Sequence, residues 1–276
     1  MRKWILTFLT AEFLVFQVMA QTIVNSGSCG INEGDCNWIL YEDGKLSITG
    51  SGAMKSYNNE SIPWGRNVNQ VDIQGITSIG TLAFRGTKIT QINVPNSVSY
   101  LQDGAFQGMP ELTNVTFEDG GNIRIGGAVF QTTPKLSSVN LPNDIKFLGY
   151  NNFTGSSLQS LILPDSLFNE DGSVGLSDIA FKDDMTVYCS KENLQKCEHF
   201  FDTAKAYDHD NRNYNPIQNI TLQTYEKTGN QYYANGKFYT NLNDIGTANY
   251  AKKRIYSIDE ANKVTGTKNS VGIRYK

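Results

Sequence analysis

Two histidines, His199 and His209, stand close to Asp202, Asp208 and Asp210, a grouping that offers nitrogen and oxygen ligands to a metal ion. The run Asp208-His-Asp-Asn-Arg-Asn213 nevertheless fails as a calcium loop. Arg212 occupies a place that needs an oxygen ligand, and the glycine of the sixth position is missing. This stretch reads as a solvated polar loop, and no metal or cofactor is expected. Gly50-Ser-Gly-Ala-Met-Lys55 begins like a phosphate-cradling loop but lacks the Gly-Lys-Ser/Thr ending. The chain has no Gly-x-Ser-x-Gly elbow, no His beside a free thiol, and no carboxylate pair that stands out as acid and base. Enzymatic chemistry is not expected.

The four cysteines suggest structure instead. Cys29 and Cys36 flank one polar turn, and Cys189 and Cys197 flank another short polar stretch. Local pairing suggests two disulfides, although four cysteines allow three connectivities. Zinc is the rival reading, but no Cys-x-x-Cys spacing supports it. A helix beginning at Lys191 would carry Cys197 beyond disulfide reach of Cys189, so a bond there requires the chain to bend. Disulfides imply an oxidising compartment, and residues 1–20 supply the route. Arg2-Lys3, an apolar stretch broken only by Glu12, and Val18-Met-Ala20 follow the order of a secretory signal. An N-terminal anchor is the alternative. No later run is long and apolar enough to span a bilayer.

Composition narrows what the exported part does. With 24 Lys+Arg against 27 Asp+Glu the net charge is −3, which gives no general attraction to nucleic acid or anionic lipid. Only 18% of residues are charged, and the mean hydropathy is −0.38. Abundant Gly, Asn, Ser and Thr favour short strands and turns over long helices.

Those strands recur. An Ala-Phe-like pair appears at Ala83-Phe84, Ala105-Phe106, Val129-Phe130, Asn152-Phe153 and Ala180-Phe181, so the Phe positions step by 22, 24, 23 and 28 residues. An apolar pair precedes each Phe: Ile76/Ile79, Val98/Leu101, Ile123/Ile125, Ile145/Leu148 and Leu176/Ile179. Alternating pairs that read as strands recur at Val71/Ile73, Ile92/Val94, Val115/Phe117, Val139/Leu141, Leu161/Leu163 and Met185/Val187. A period of about 20–29 residues with one short strand per turn is the mark of a leucine-rich-repeat solenoid. Each turn buries its neighbour's apolar face, and the five Phe side chains should stack as an internal column.

The segments Gly75-Ile-Thr-Ser-Ile-Gly-Thr-Leu-Ala-Phe-Arg-Gly86 and Ile92-Asn-Val-Pro-Asn-Ser-Val-Ser-Tyr-Leu-Gln-Asp-Gly-Ala-Phe-Gln-Gly108 resemble the repeats of BspA-like surface proteins. Cys29-Gly30, Trp38-Ile-Leu40, Asp43-Gly-Lys-Leu-Ser-Ile-Thr-Gly50, Gly52-Ala-Met54 and Pro63-Trp64 resemble the module that often precedes them. The resemblance covers about residues 28–189. It implies adhesion to host or neighbouring-cell proteins, including matrix components. The family's buried cysteine after Phe-x-Gly is replaced here by Thr87, Met109 and Ser156.

Around the repeats (71–189) lie two ends. Residues 21–70 read as an N-terminal cap with a β-hairpin through Asp43-Gly44. Residues 190–202 read as a capping helix begun by Ser190. Residues 203–276 read as a small α+β module or ordered extension, with a hairpin around Asn235-Gly236, a helix from Ser257 to about Val264 and a last strand at Val271–Tyr275.

Function should then lie on the strand face. Six strands about 4.8 Å apart would carry Asp72, Asn93, Thr116, Asn140, Ile162 and Thr186 outward, flanked by Gln70, Gln91, Asn114, Ser138 and Ser160. Such a row suits an extracellular or cell-surface protein or glycan as partner. Four glycosylation triplets begin at Asn59, Asn114, Asn152 and Asn219.

Overall fold

A computed structural model describes residues 21–58, 62–177, 181–182, 184–206, 220–234, 237–240 and 245. The chain opens with β1 (Ile23–Ser28), β2 (Cys36–Tyr41), β3 (Lys45–Gly50) and β4 (Gln70–Gln74). Two kinds of strand then alternate. They are β5 (Ser78–Ile79), β6 (Gln91–Val94), β7 (Tyr100–Leu101), β8 (Asn114–Phe117), β9 (Arg124–Ile125), β10 (Ser138–Asn140), β11 (Phe147–Leu148) and β12 (Ser160–Ile162). After them come β13 (Thr186–Ser190), α1 (Leu194–Ala206), β14 (Thr221–Thr228), β15 (Gln231–Ala234) and β16 (Lys237–Tyr239).

The period of the sequence becomes a β-solenoid. Strands β6, β8 and β10 pair in parallel, one per turn, with Gln91, Asn114 and Ser138 in one register row and Asn93, Thr116 and Asn140 in the next. Ile92, Val115 and Val139 fall between those rows and are buried, the pattern that a period of two imposes. The expected single six-stranded ladder is interrupted: β4 closes a four-stranded cap sheet, and β12 opens a five-stranded sheet.

The expectation of one strand per turn also needs correction. The apolar residues before each Phe form a second parallel sheet, β5-β7-β9-β11. Ile79, Leu101, Ile125 and Leu148 in it are fully buried. Two-residue strands are too short to show an alternation in sequence.

Phe84, Phe106, Phe130 and Phe153 form the expected column, with ring centres 5.7, 5.9 and 5.9 Å apart. Trp64 extends it at the N-terminal end, 5.7 Å from Phe84. Phe181 does not continue it. Its ring meets Phe201 of α1 at 5.2 Å, because the last step is 28 residues and the helix takes the next place. The chain bends sharply on both sides of each ring. Leu82, Gly104, Ala128 and Asn151, two residues before Phe, have φ of 56°, 64°, 54° and 53°; Gly86, Gly108, Thr132 and Gly155, two after, have 69°, 66°, 58° and 76°. These corners place backbone donors against the next turn: Phe84 N–H donates to the Ala105 carbonyl at 2.8 Å and Phe106 N–H to that of Val129 at 3.1 Å.

At the family's cysteine position one turn buries Met109, and three others carry a hydroxyl that adds a bond. Thr87, Thr133 and Ser156 donate to the carbonyls of Phe84, Phe130 and Phe153 at 2.9, 2.6 and 2.7 Å. Successive turns touch backbone to backbone at Gly149, where a Cβ would lie 2.5 Å from the Gly126 carbonyl carbon.

Both ends continue the stack. The β2–β3 hairpin turns through Gly44 (φ 83°), β1 pairs on its outer side, and β3 lies parallel to β4. The disulfide Cys29–Cys36, Cα atoms 4.9 Å apart, ties the cap. At the other end β14 pairs in parallel with β13, as another turn would, before β15 and β16 fold back antiparallel. The described strands of the segment read as a small α+β module or ordered extension thus extend the repeat sheet. Cys189 and Cys197 are bonded with Cα atoms 6.8 Å apart. The required bend is real: Ser190 stays extended, its Oγ accepts from Asn193 N–H, and a 3-10 turn precedes the α-helix. That helix runs to Ala206, past the expected limit at residue 202. Residues 1–20, expected as a secretory signal, and the helix and strand expected from Ser257 and at Val271–Tyr275 lie outside the described residues.

Candidate functional site

The strand face is built by residues that sit between the buried positions of successive strands. Gln70, Gln91 and Asn93 are exposed, while Asp72, Asn114, Thr116, Ser138, Asn140, Ser160 and Thr186 are half-buried. Part of this face is occupied with itself. Thr116 Oγ1 donates to Asn93 Oδ1 at 3.0 Å, and Asn93 Nδ2 donates to Glu118 Oε1 at 3.2 Å. Asp72 accepts from Gln74 at 3.1 Å.

Two positions need correction. Ile162 is 8% exposed and packs with Tyr188, Tyr225, Ala234 and Ile245 in a second small core. The C-terminal strands bring these aromatics over it, and an apolar side chain there gains by losing contact with water. Thr186 lies opposite Ser160, whereas Tyr188 lies opposite Ile162. Thr186 thus belongs to the flanking row, one pleat from its expected place.

Where the polar face meets this second core, a shallow cleft of about 330 Å³ opens, lined by Phe117, Asp119, Asn140, Asn143, Ile162 and Tyr232 among others. Asp119 is fixed by its neighbour in the next turn: Asn143 donates to its two oxygens through the backbone N–H at 2.7 Å and Nδ2 at 2.8 Å. Tyr232 packs edge-on against Tyr225, ring centres 6.1 Å apart, and Lys227 Nζ lies 5.9 Å from its ring centre. Burial pushes the Tyr225 hydroxyl well above the usual phenol range, with the nearby Asp165 carboxylate adding to it. Sequence reading placed Asn140 and Ile162 here but missed Phe117, Asp119, Asn143 and Tyr232. Phe117 was read as a strand residue, Tyr232 adjoined the expected hairpin at Asn235-Gly236, and Asp119 and Asn143 lie in Asp-Gly and Pro-Asn-Asp turns, but none of these local signals pointed to a shared cleft.

Of the remaining candidates, His199 lies exposed on α1, and His209, Asp208 and Asp210 lie outside the described residues. Among the described residues no three His, Cys, Asp or Glu side chains gather as a metal site. Asn152 is fully buried. Its Oδ1 accepts from Val129 N–H at 2.9 Å and its Nδ2 donates to Gly149 and Gly126 at 2.7 and 2.9 Å, so it is a structural amide and not a glycan acceptor in the folded chain. Asn59 and Asn219 lie outside the described residues.

Stacked parallel turns of about 23 residues around an aromatic column define a leucine-rich-repeat solenoid. Residues 58–174 match, in six copies, the model of the BspA type leucine rich repeat region. Over those residues the chain is similar to that family's repeats. Among solved structures, a leucine-rich repeat protein from Eubacterium ventriosum is 26% identical, with a TM-score of 0.52 over 61% of this chain and 45% of that one. The chain thus spans less than half the length of that protein. A leucine rich cell surface protein from Faecalibacterium prausnitzii is 14% identical over 77% of this chain and 60% of its own, with a TM-score of 0.20, too low to bear on the fold. No curated protein matches.

Proposed function

We propose that this chain is an exported, non-enzymatic recognition protein that binds a protein or glycan outside the cell through its polar strand face. The observation that carries this reading is the face itself. Gln70 on β4 and Gln91 and Asn93 on β6 stand exposed, with neutral amide side chains that both donate and accept hydrogen bonds. Two local disulfides suit an oxidising compartment. No helix among the described residues is long and apolar enough to cross a membrane.

The bonds linking Asn93, Thr116 and Glu118 across turns favour a second reading, a rigid spacer in an envelope or matrix whose face only stiffens the rod. Capture from extracellular-matrix or cell-surface extract separates the two. Recognition requires a saturable ligand that Asp72→Lys with Asn93→Lys releases while the fold stays intact. Indifference to those changes supports the spacer. A glycan found at Asn114 in native material would cover the face and remove it as a docking surface.

A further inference from the structure

We propose that the cleft between the strand face and the C-terminal hairpin binds a neutral saccharide. This rests on the recognition reading and narrows it to one place and one ligand class.

A sugar presents apolar C–H surface beside a rim of hydroxyls, each both donor and acceptor. A site for it needs aromatic surface next to planar groups that can answer both halves of a hydroxyl. The cleft brings these together from separate parts of the chain. Phe117 on β8 and Tyr232 on β15 contribute half-buried rings. Asn140 on β10 contributes an amide that forms no hydrogen bond with any described side chain or backbone group, unlike Asn93 one row-mate away, whose amide is held by Thr116 and Glu118. Among the described residues, then, nothing takes its donor or its acceptor, and it lies half-buried.

Asp119 contributes the fixed acceptor. Each carboxylate oxygen takes one bond from Asn143, which sets the plane of the group and leaves each a further lone pair. A ligand then meets an oriented carboxylate without ordering it first, which lowers the cost of binding.

Charge and size narrow the class. Among the described residues Asp119 is the only charged one in the lining, and Lys227 lies outside it. A phosphate, a sulfated sugar or an acidic peptide would face a carboxylate with no cation to offset it. The mostly polar walls do not suit the apolar face of a partner helix. The volume of about 330 Å³ is at the small end of small-ligand sites, and its open mouth lets a longer chain run on over the strand face.

The test is an array of neutral, sialylated and sulfated oligosaccharides probed with the intact disulfide-bonded protein, followed by titration calorimetry on the neutral glycans retained. Saturable binding to a neutral glycan is expected. Asn140→Ala, which breaks no side-chain bond to a described residue, should weaken it by about tenfold or more at unchanged melting temperature. Tyr232→Ala should weaken it as well, its folding followed by circular dichroism. Retention of acidic glycans alone, no glycan retained, or neutral binding that survives both substitutions each overturns the proposal. Protein capture that depends on Asp72, with no neutral glycan bound, leaves the recognition reading standing and removes the saccharide.

Discussion

From Trp64 to Phe153 the aromatic residues stand in single file, 5.7 to 5.9 Å apart. Past β12 they gather in groups instead: Phe181 with Phe201, Phe200 with Phe201, and Tyr225 with Tyr232. In the file, each inner ring is packed by the turn before and the turn after, so equal spacing of the sequence is itself the stabilising device. In the groups, spacing is lost and a covalent tie, Cys189–Cys197, holds the helix against the last repeat strand. One half of the molecule is held by repetition, the other by particular contacts.

The sharpest way to break this contrast is to cut the file. Phe106 is fully buried with a ring on each side, and Phe106→Ala should cost about 3–5 kcal/mol in denaturant unfolding. Phe181→Ala should cost less. An equal or larger loss at Phe181 would mean that the column contributes nothing beyond ordinary burial.

Next in size is the covalent tie. Replacing Cys189 and Cys197 by Ser should cost about 2–3 kcal/mol, the scale for closing so short a loop. Hydrogen exchange should quicken in α1, β13 and β14 and stay unchanged in β6, β8 and β10. Faster exchange throughout would show that the two halves unfold as one.

A smaller effect should run the other way. Thr132 is a β-branched residue at φ 58°, at a corner where the neighbouring turns use glycine. Thr132→Gly should raise stability by about 1 kcal/mol, read as a higher melting temperature.

The smallest effect appears only in alkali. Burial raises the Tyr57 hydroxyl from 10.0 to about 12, so the folded state keeps a proton that the unfolded chain releases. That contribution is complete below pH 10 and is lost as pH rises towards 12, so the melting temperature should fall over that interval. Tyr225 shifts the same way for the same cause. Tyr57→Phe should reduce the slope, and an unchanged slope would place the alkaline loss elsewhere.

What the sequence made legible follows the same division. The Ala-Phe spacing revealed the column through Phe153, whereas Phe181 was read as a fifth member although its step of 28 residues departs from the others. Ile162 was a signal read the wrong way: an apolar residue in an otherwise polar row meant that something covers it, but the covering residues Tyr225 and Ala234 lie more than sixty positions away. The cleft was hidden for the same reason, since Tyr232 reaches Asn140 only through the parallel addition of β14. The left-handed corners at Leu82, Ala128 and Thr132 left no local trace. Glycine advertises that geometry, whereas these residues are held in it by the turns on either side.

The contact at Gly149 has a consequence for the pitch of the coil. A methyl group at that corner would press on Gly126 and lever two coils apart, and rings threaded through the centre would lose their registry with it. Between these two coils the approach is set at the rim, by a residue with no side chain. Gln102 stands at the equivalent place in an earlier turn, so a duplicated coil would have to keep the glycine only where its neighbour approaches as closely as Gly126 does here.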